Sequence, residues 1–588
     1  MRTGRSTAFA WLVLASCCVW PRTSAAQERP SDILTDTRTP YVRVFDTAAA
    51  LPGLLPSLAD AAAWAPVKEG DGAHSFAGDA VLLNDRLVVL LRRGAAGAQV
   101  YAKTPAGLKL RAEVVPCLRP SGDSAALASV RLLESKSSAA TLEATFKADD
   151  GASCSAAFRL ATGDVLLEAR AGAGTARLAL RGGIRYVVVP DYFGDDMVLG
   201  ANASEGGRVG LPAENLLLSL MEGGDSIVMC VWTSSERNAD LVLTGAGGKR
   251  AISGCEVEWR EGESIWVAVL EGAGIWHDRA LAAGDAGRDL ALDWQPPFPA
   301  KWRGDLVGED GVCESWEFVD RQERERQGSP PTAAELACPC YLDSAGAHVR
   351  PHTSAPGVPR PDQNLVVVYP MDRDRATPLT RFCPVDVMRN ALGVGPCQYI
   401  LELEGFAEGD AATAAEVTRW IEKQFEKKKD AEQSAAIKQR LEQMVSHMAS
   451  AQARIEQYGG LARQVQAVCK GQEASAAADT ARRLVKIALD MERNIADSRP
   501  AMATPAHVRG LADSVLASVG QGRPLTEVQA VGEELRLIGA AQDGTLSRCR
   551  LAARRLKQEC RTAASGDPRA ADLVAAVREQ TEKLLQKR

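Results

Sequence analysis

The chain has 588 residues, of which 46% are hydrophobic and 24% charged. These proportions exclude a mostly disordered chain and leave ample apolar material for buried cores. A formal net charge of −6 over this length gives no global attraction to nucleic acid.

The amino terminus reads as a signal peptide. Arg2 and Arg5 are basic, residues 8–20 are apolar, Pro21 breaks the run, and Ser24, Ala25 and Ala26 offer small residues for cleavage before Gln27. The apolar run is too short to cross a bilayer as a helix, which takes about 20 residues. Leu14-Ala15-Ser16-Cys17 keeps a second reading open, a bacterial lipoprotein box with a lipid anchor at Cys17. Both readings place the mature chain outside the cytoplasm, in the periplasm, secreted or attached to the envelope. No later run holds about 18 consecutive apolar residues, so no transmembrane segment is expected.

Residues 27–300 are expected to form a large antiparallel β-sandwich. Short apolar runs at 80–83, 87–91, 128–133, 140–146, 155–160, 165–169, 176–180 and 184–189 alternate with turn residues. The runs 255–259 and 265–270 flank Arg260-Glu261-Gly262-Glu263 and read as one more hairpin. Long helical periodicity is nearly absent here, and no βαβ alternation appears.

The strand order resembles the sandwich of the galactose-mutarotase-like superfamily. The resemblance rests on the run 82–89 and on the run 140–190, which holds Thr141 to Lys147, then Phe158-Arg159-Leu160, then Val165 to Ala169. It covers less than half of the chain and implies the fold together with a link to sugars. Epimerases of that family place histidines and an acid in the sandwich concavity. Here the region holds only His74 and His277, in contexts that do not match.

Pro296, Pro297 and Pro299 mark a boundary, because proline extends neither a ladder nor a helix. Residues 301–407 read as a mixed α/β connecting segment, with a buried strand at 365–369 and a short helix at 386–392 ending at Gly393. Residues 408–588 read as an antiparallel helical bundle. Ile437, Leu441, Met444, Met448, Ala451, Ile455 and Tyr458 follow a 4-3 heptad spacing. Leu484, Ala488, Met491 and Ile495 repeat it, as do Val528, Val531, Leu535 and Ile538, and then Cys549, Ala553, Leu556 and Cys560. The fold class is therefore multi-domain α+β.

Charge divides with architecture. Residues 411–588 carry 29 Lys and Arg against 22 Asp and Glu, a net +7, which leaves −13 for the rest. The basic runs Lys427 to Lys429 and Arg554-Arg555 read as solvated helix faces. No stacking aromatics interleave them, so no nucleic-acid partner is expected.

Fourteen cysteines are present. Twelve remain after Cys17 and Cys18, an even number in an oxidising compartment. Cys154, Cys230 and Cys255 read as buried apolar residues. Cys338 or Cys340 could take part in a disulfide. Cys-x-Cys alone lacks the ligand number of a metal site, so neither a metal nor a cofactor is expected.

Three segments could carry chemistry. Seven of the eleven tryptophans fall between Trp232 and Trp316. Aromatic faces pack flat on sugar rings, but sandwich cores use tryptophan as well, and both readings are open. Trp302 with Arg303 is the preferred exposed candidate, and Trp316 is a second. Asp191-Tyr192-Phe193-Gly194-Asp195-Asp196 sets carboxylates and aromatics on one loop after the run 184–189. Its acids could serve a glycosidase or lyase, or could be solvated turn residues. Tyr369-Pro370-Met371-Asp372-Arg373-Asp374-Arg375 follows the buried strand. It could line a ligand site or could tie this segment to the sandwich by ion pairs. The catalytic candidates are Asp191, Asp196, Asp372 and Arg373, and the ligand-binding candidates are Trp302, Arg303, Trp316, Tyr192 and Tyr369.

The leading functional expectation is an exported, non-catalytic, carbohydrate-binding protein of the envelope. One alternative is a polysaccharide lyase or glycoside hydrolase. The other is a structural or assembly protein whose helical bundle meets a protein partner.

Overall fold

A computed structural model describes residues 40–51, 63–118, 125–191, 195–204, 206–233, 237–327, 338–351, 363–374, 383–393, 431–472, 477–521, 525–566 and 570–585. The signal peptide with Cys17, and also Tyr192 and the lysine run at 427–429, lie outside the described residues.

The chain is α+β, with a large antiparallel sandwich first and helices last. One layer runs, neighbour by neighbour, through Ala126–Ser135, Ala139–Lys147, Ser153–Ala161, Leu166–Ala171, Ser264–Glu271, Ser226–Trp232, Leu216–Met221, Ile184–Val189 and Met197–Leu199. The other runs through Ala65–Pro66, Val42–Asp46, Ala80–Asn84, Leu87–Leu91, Ala98–Thr104, Gly107–Cys117, Arg177–Arg181, Ala251–Glu258, Ala239–Thr244 and Arg208–Leu211. The layers meet at one edge, where Ile184 pairs with Ile252. Period-two alternation builds the core between them. Leu142, Phe158, Leu167 and Val267 point inward from one layer, and Leu82, Val89, Val100 and Val114 from the other.

The expected hairpin around 260–263 is not one. Ala251–Glu258 pairs in one layer and Ser264–Glu271 in the other, so the turn is a corner between layers. Alternation and turn residues are the same for a hairpin and a corner; only the pairing partners differ. Trp259 and Trp266 are therefore not cross-strand partners.

A second β unit covers the outer face of the first layer. His277–Ala280, Leu365–Asp372, Lys301–Val307 and Cys313–Glu317 form one small sheet. Leu290–Ala291, Gly346–Val349, Cys340–Asp343 and Val319–Asp320 form another. Leu365–Asp372 shows how they fit. Val366 and Val368 point into a core between the small sheets, whereas Val367, Tyr369 and Met371 point onto the sandwich. There they join Val188, Leu218, Met229 and Ala268 of the first layer, with Val387 and Met388 of helix Pro384–Leu392. Gly393 ends that helix with φ 78°, a left-handed conformation suited to glycine.

The carboxyl-terminal helices are α3 (Ala431–Cys469), α4 (Ala478–Ser498), α5 (Pro505–Gln521), α6 (Leu525–Gly566) and α7 (Ala571–Leu585); α1 is Arg321–Gln327 and α2 is Pro384–Leu392. The heptad residues of α3 from Ile437 to Tyr458 are all buried. Their stripe serves two apolar clusters. The first half of α3 packs with α5 and the start of α6; its second half packs with α4, the end of α6 and α7.

Along α6, Gln542 and Thr545 lie between those clusters, both buried. Thr545 donates to the Ala541 carbonyl at 2.7 Å, but neither amide atom of Gln542 has a hydrogen-bond partner among the described residues. Gln542→Leu should therefore stabilise the bundle by about 1–3 kcal/mol, the desolvation cost of unsatisfied polar groups. Urea unfolding followed at 222 nm would show a higher midpoint; a lower one would mean that the amide is satisfied.

The eleven cysteines among the described residues are all buried, including Cys154, Cys230 and Cys255. The Cys338 thiol donates to the carbonyls of Glu317 and Cys340, at 3.2 and 3.1 Å, in place of the disulfide considered for it. No helix among the described residues is long and apolar enough to cross a membrane.

Candidate functional site

The strand Lys301–Val307 sends alternate residues to opposite sides. Trp302 and Leu306 enter the core between the small sheets, while Arg303 and Asp305 face the sandwich. This corrects the expectation of an exposed Trp302. The indole is 1% exposed, with ring centroids 4.9 Å from Trp294 and 5.2 Å from Phe298. Most of the tryptophan cluster follows it inward. Trp232, Trp259, Trp276 and Trp294 are buried, and Trp316 is half-buried with its Nε1 donating to Glu314 at 2.9 Å.

Arg303 meets Asp196 with two hydrogen bonds of 3.0 Å, from Nε to Oδ2 and from Nη2 to Oδ1. Its Nη2 also donates to the Asp191 carbonyl at 2.9 Å, and the Asp191 amide donates to Asp196 Oδ1 at 2.6 Å. Tyr369 Oη lies 2.6 Å from Asp305 Oδ2 and also bonds Asp196 Oδ2. The Asp196 amide donates to Ser315 Oγ at 2.8 Å, and the Ser315 amide to Asp195 Oδ1 at 3.1 Å. Asp196, Asp305 and Tyr369 are fully buried, so the expectation of solvated turn acids is corrected as well. The reason is non-local: their partners arrive more than a hundred residues later.

Electrostatics sort the protons. Burial, then the Asp196 charge, pushes the Asp305 carboxyl up to about 8. Burial and the same charge push the Tyr369 phenol well above its ordinary value. Burial opposes the Arg303 charge, but Asp196 and Asp305 outweigh it and hold the guanidinium well above its usual range. The consistent arrangement has Asp305 protonated, its hydroxyl donating to Tyr369 Oη and the phenol donating to Asp196. Chemically this is a proton-donor chain ending on a carboxylate–guanidinium pair, closed to solvent except at Arg303, whose side chain is 16% exposed.

The cluster therefore unites Asp191, Asp196, Arg303 and Tyr369. Asp372 and Arg373 serve a different purpose. They pair with Arg389 at 3.7 Å and Asp386 at 3.9 Å, which ties their strand to α2 rather than to the sandwich. Asp305 and Ser315 were not anticipated. Asp305 could have been found, because Lys301, Arg303 and Asp305 repeat a charge every second residue within an otherwise apolar strand.

A second polar array lies open on the first layer. Glu134, Thr141, Arg159, Glu168 and Trp266 stand directly opposite one another on five successive strands. Each is half-buried. Thr141 Oγ1 donates to Glu134 at 3.4 Å, Arg159 lies 3.9 Å from Glu134 and 3.7 Å from Glu168, and Ser264 donates to Glu168 at 2.8 Å. Trp266 ends the row, against the apolar layer that the second β unit covers. At the other end, Glu134, Ser135 and Lys136 border a depression of about 500 Å³. Among the described residues, no group of three or more His, Cys, Asp or Glu is placed to hold a metal ion.

No family model and no curated protein matches the chain. Among solved structures, a ligand-free α-N-acetylgalactosaminidase from Bifidobacterium bifidum is similar at 12% identity with a TM-score of 0.22, over 32% of this chain and 35% of that one. A heparan sulfate lyase mutant from Pedobacter heparinus is similar at 8% identity with a TM-score of 0.19, over 41% of each chain. This chain thus spans well under half the length of either. At these scores the likeness assigns neither a site nor an activity.

Proposed function

We propose that the chain is an exported protein of the cell envelope that binds a glycan without transforming it, on a sandwich of the galactose-mutarotase-like type. The observation that carries this reading is the open row from Glu134 to Trp266. Carboxylates and a guanidinium can bond sugar hydroxyls, and a half-buried indole offers an apolar face to a ring. Of the acids that could act as catalysts, Asp191 and Asp196 are buried, with both Asp196 oxygens already engaged, and Asp372 is paired with Arg389. Export rests on the amino-terminal signal, and buried thiols are compatible with an oxidising compartment because oxidants do not reach them.

The test is retention of the mature chain on immobilised polysaccharides, compared with Trp266→Ala and Arg159→Ala. The tryptophan variant should bind about three- to tenfold more weakly, the worth of one aromatic contact. Absence of binding across a broad glycan panel, or binding that neither variant alters, would remove the reading.

The Asp305–Tyr369–Asp196 chain favours a second reading, a carbohydrate-active enzyme. An acid kept protonated near neutrality beside a carboxylate is the pairing that acid–base catalysis uses. It would need a route for substrate to reach the cluster.

A further inference from the structure

The bundle and the β part are held together in an unusual way. Each hydrophobic cluster of the described residues lies wholly inside the bundle or wholly outside it. The joint is instead a row of charges from α6. Arg550 reaches Glu214 at 2.6 Å, and Arg554 reaches Glu214 at 3.1 Å, Asp191 at 3.8 Å and the Pro212 carbonyl at 3.2 Å. Arg555 reaches Asp310 at 3.3 Å, with Lys486 of α4 at 3.9 Å, and Arg548 reaches Asp195 at 3.8 Å. Glu214 is the centre, since two arginines share it. The approach is close: a β-carbon at Gly210, on the sandwich edge strand Arg208–Leu211, would overlap the side chain of Gln558.

Two of these contacts fall on Asp191 and Asp195, the loop residues that close the Asp196–Arg303–Tyr369 cluster. From this geometry we infer that the helical bundle is a releasable cover over that buried cluster, clasped to the β part by α6 arginines on sandwich carboxylates. Both sides keep their own apolar cores when they part, so release does not require unfolding. Ion pairs weaken with ionic strength, and the more exposed contacts at Asp310 weaken before the less exposed ones at Glu214. The partners that α6 leaves behind are carboxylates, so a polyanion is the class of molecule that would compete for its arginines.

The test uses the full mature chain and three proteins: wild type, Glu214→Arg, and the charge swap Glu214→Arg with Arg550→Glu, which leaves Arg554 on Asp191. Small-angle scattering should place the wild type near the roughly 25 Å radius of gyration of a compact chain this long, and Glu214→Arg about a tenth or more above it. Hydrogen exchange should speed up about tenfold at Arg208–Leu211 and Met197–Leu199 in Glu214→Arg, while the core of α3 and α4 keeps its protection. The swap should restore both readouts toward wild type, and wild type in 1 M salt should move toward Glu214→Arg. Unchanged scattering and exchange in Glu214→Arg would overturn the inference. So would loss of protection throughout the bundle, because docking would then be part of its folding. A folded swap that stays open would overturn it too, since charge would not be what closes the joint.

Discussion

Asp196→Ala is expected to destabilise the β part by about 3–5 kcal/mol, the usual loss when a buried ion pair is broken from one side. The substitution strands Arg303 beneath the second β unit. Its two 3.0 Å bonds disappear, and Asp305, 3.9 Å away, cannot replace them while it carries a proton. Tyr369 loses an acceptor at the same time. Asp196→Asn keeps the shape and one acceptor, and should cost about 1.5–3 kcal/mol, the worth of a charge-assisted hydrogen bond. Urea unfolding followed by tryptophan fluorescence reports mainly on the β part, because the eight tryptophans among the described residues lie outside the bundle. An Asp196→Ala midpoint equal to wild type would mean that the cluster contributes nothing to stability.

The second large effect is a pH dependence. The Asp305 carboxyl is pushed up to about 8, first by burial and then by Asp196. In the unfolded chain it returns to about 3.9. The native state therefore holds this proton more tightly, and the stability it contributes is fully present below about pH 4 and lost as pH rises through about 8. The full span is at most about 6 kcal/mol at 1.36 kcal/mol per pH unit. Other groups also change protonation with pH, so the informative quantity is the difference between wild type and Asp305→Asn. The amide imitates the protonated acid and can still donate to Tyr369. Relative to wild type, Asp305→Asn should gain a few kcal/mol in stability between pH 5 and pH 9. A difference that stays constant over that range would show that Asp305 does not change protonation there.

The sequence made the elements legible and left the partnerships hidden. The run 140–146 emerges as Ala139–Lys147 and 184–189 as Ile184–Val189, because alternation and turn residues are local properties. The α3 stripe from Ile437 to Tyr458 was readable for the same reason: a buried helix face is written in its own spacing. Pairing is different. The strand after Arg260-Glu261-Gly262-Glu263 joins the opposite layer, which no local pattern announces. In the sequence Trp302 and Arg303 read as one exposed pair, although consecutive residues of a strand face opposite ways. The acids of 191–196 looked solvated because Arg303 and Tyr369, which bury them, lie 107 and 173 residues further on.

That separation has a consequence for how the protein is made. Val188, Leu218, Met229 and Ala268 form an apolar outer surface on the first layer, and the strand that covers them ends at Asp372. A chain that emerges amino terminus first therefore completes the layer long before its cover exists. During that interval it presents a broad, sticky sheet face, the kind of intermediate on which aggregation competes with folding. Asp196 waits for Tyr369 over the same interval. Successful production should thus depend less on how fast the sandwich forms than on what shields that face until residue 372 has been delivered.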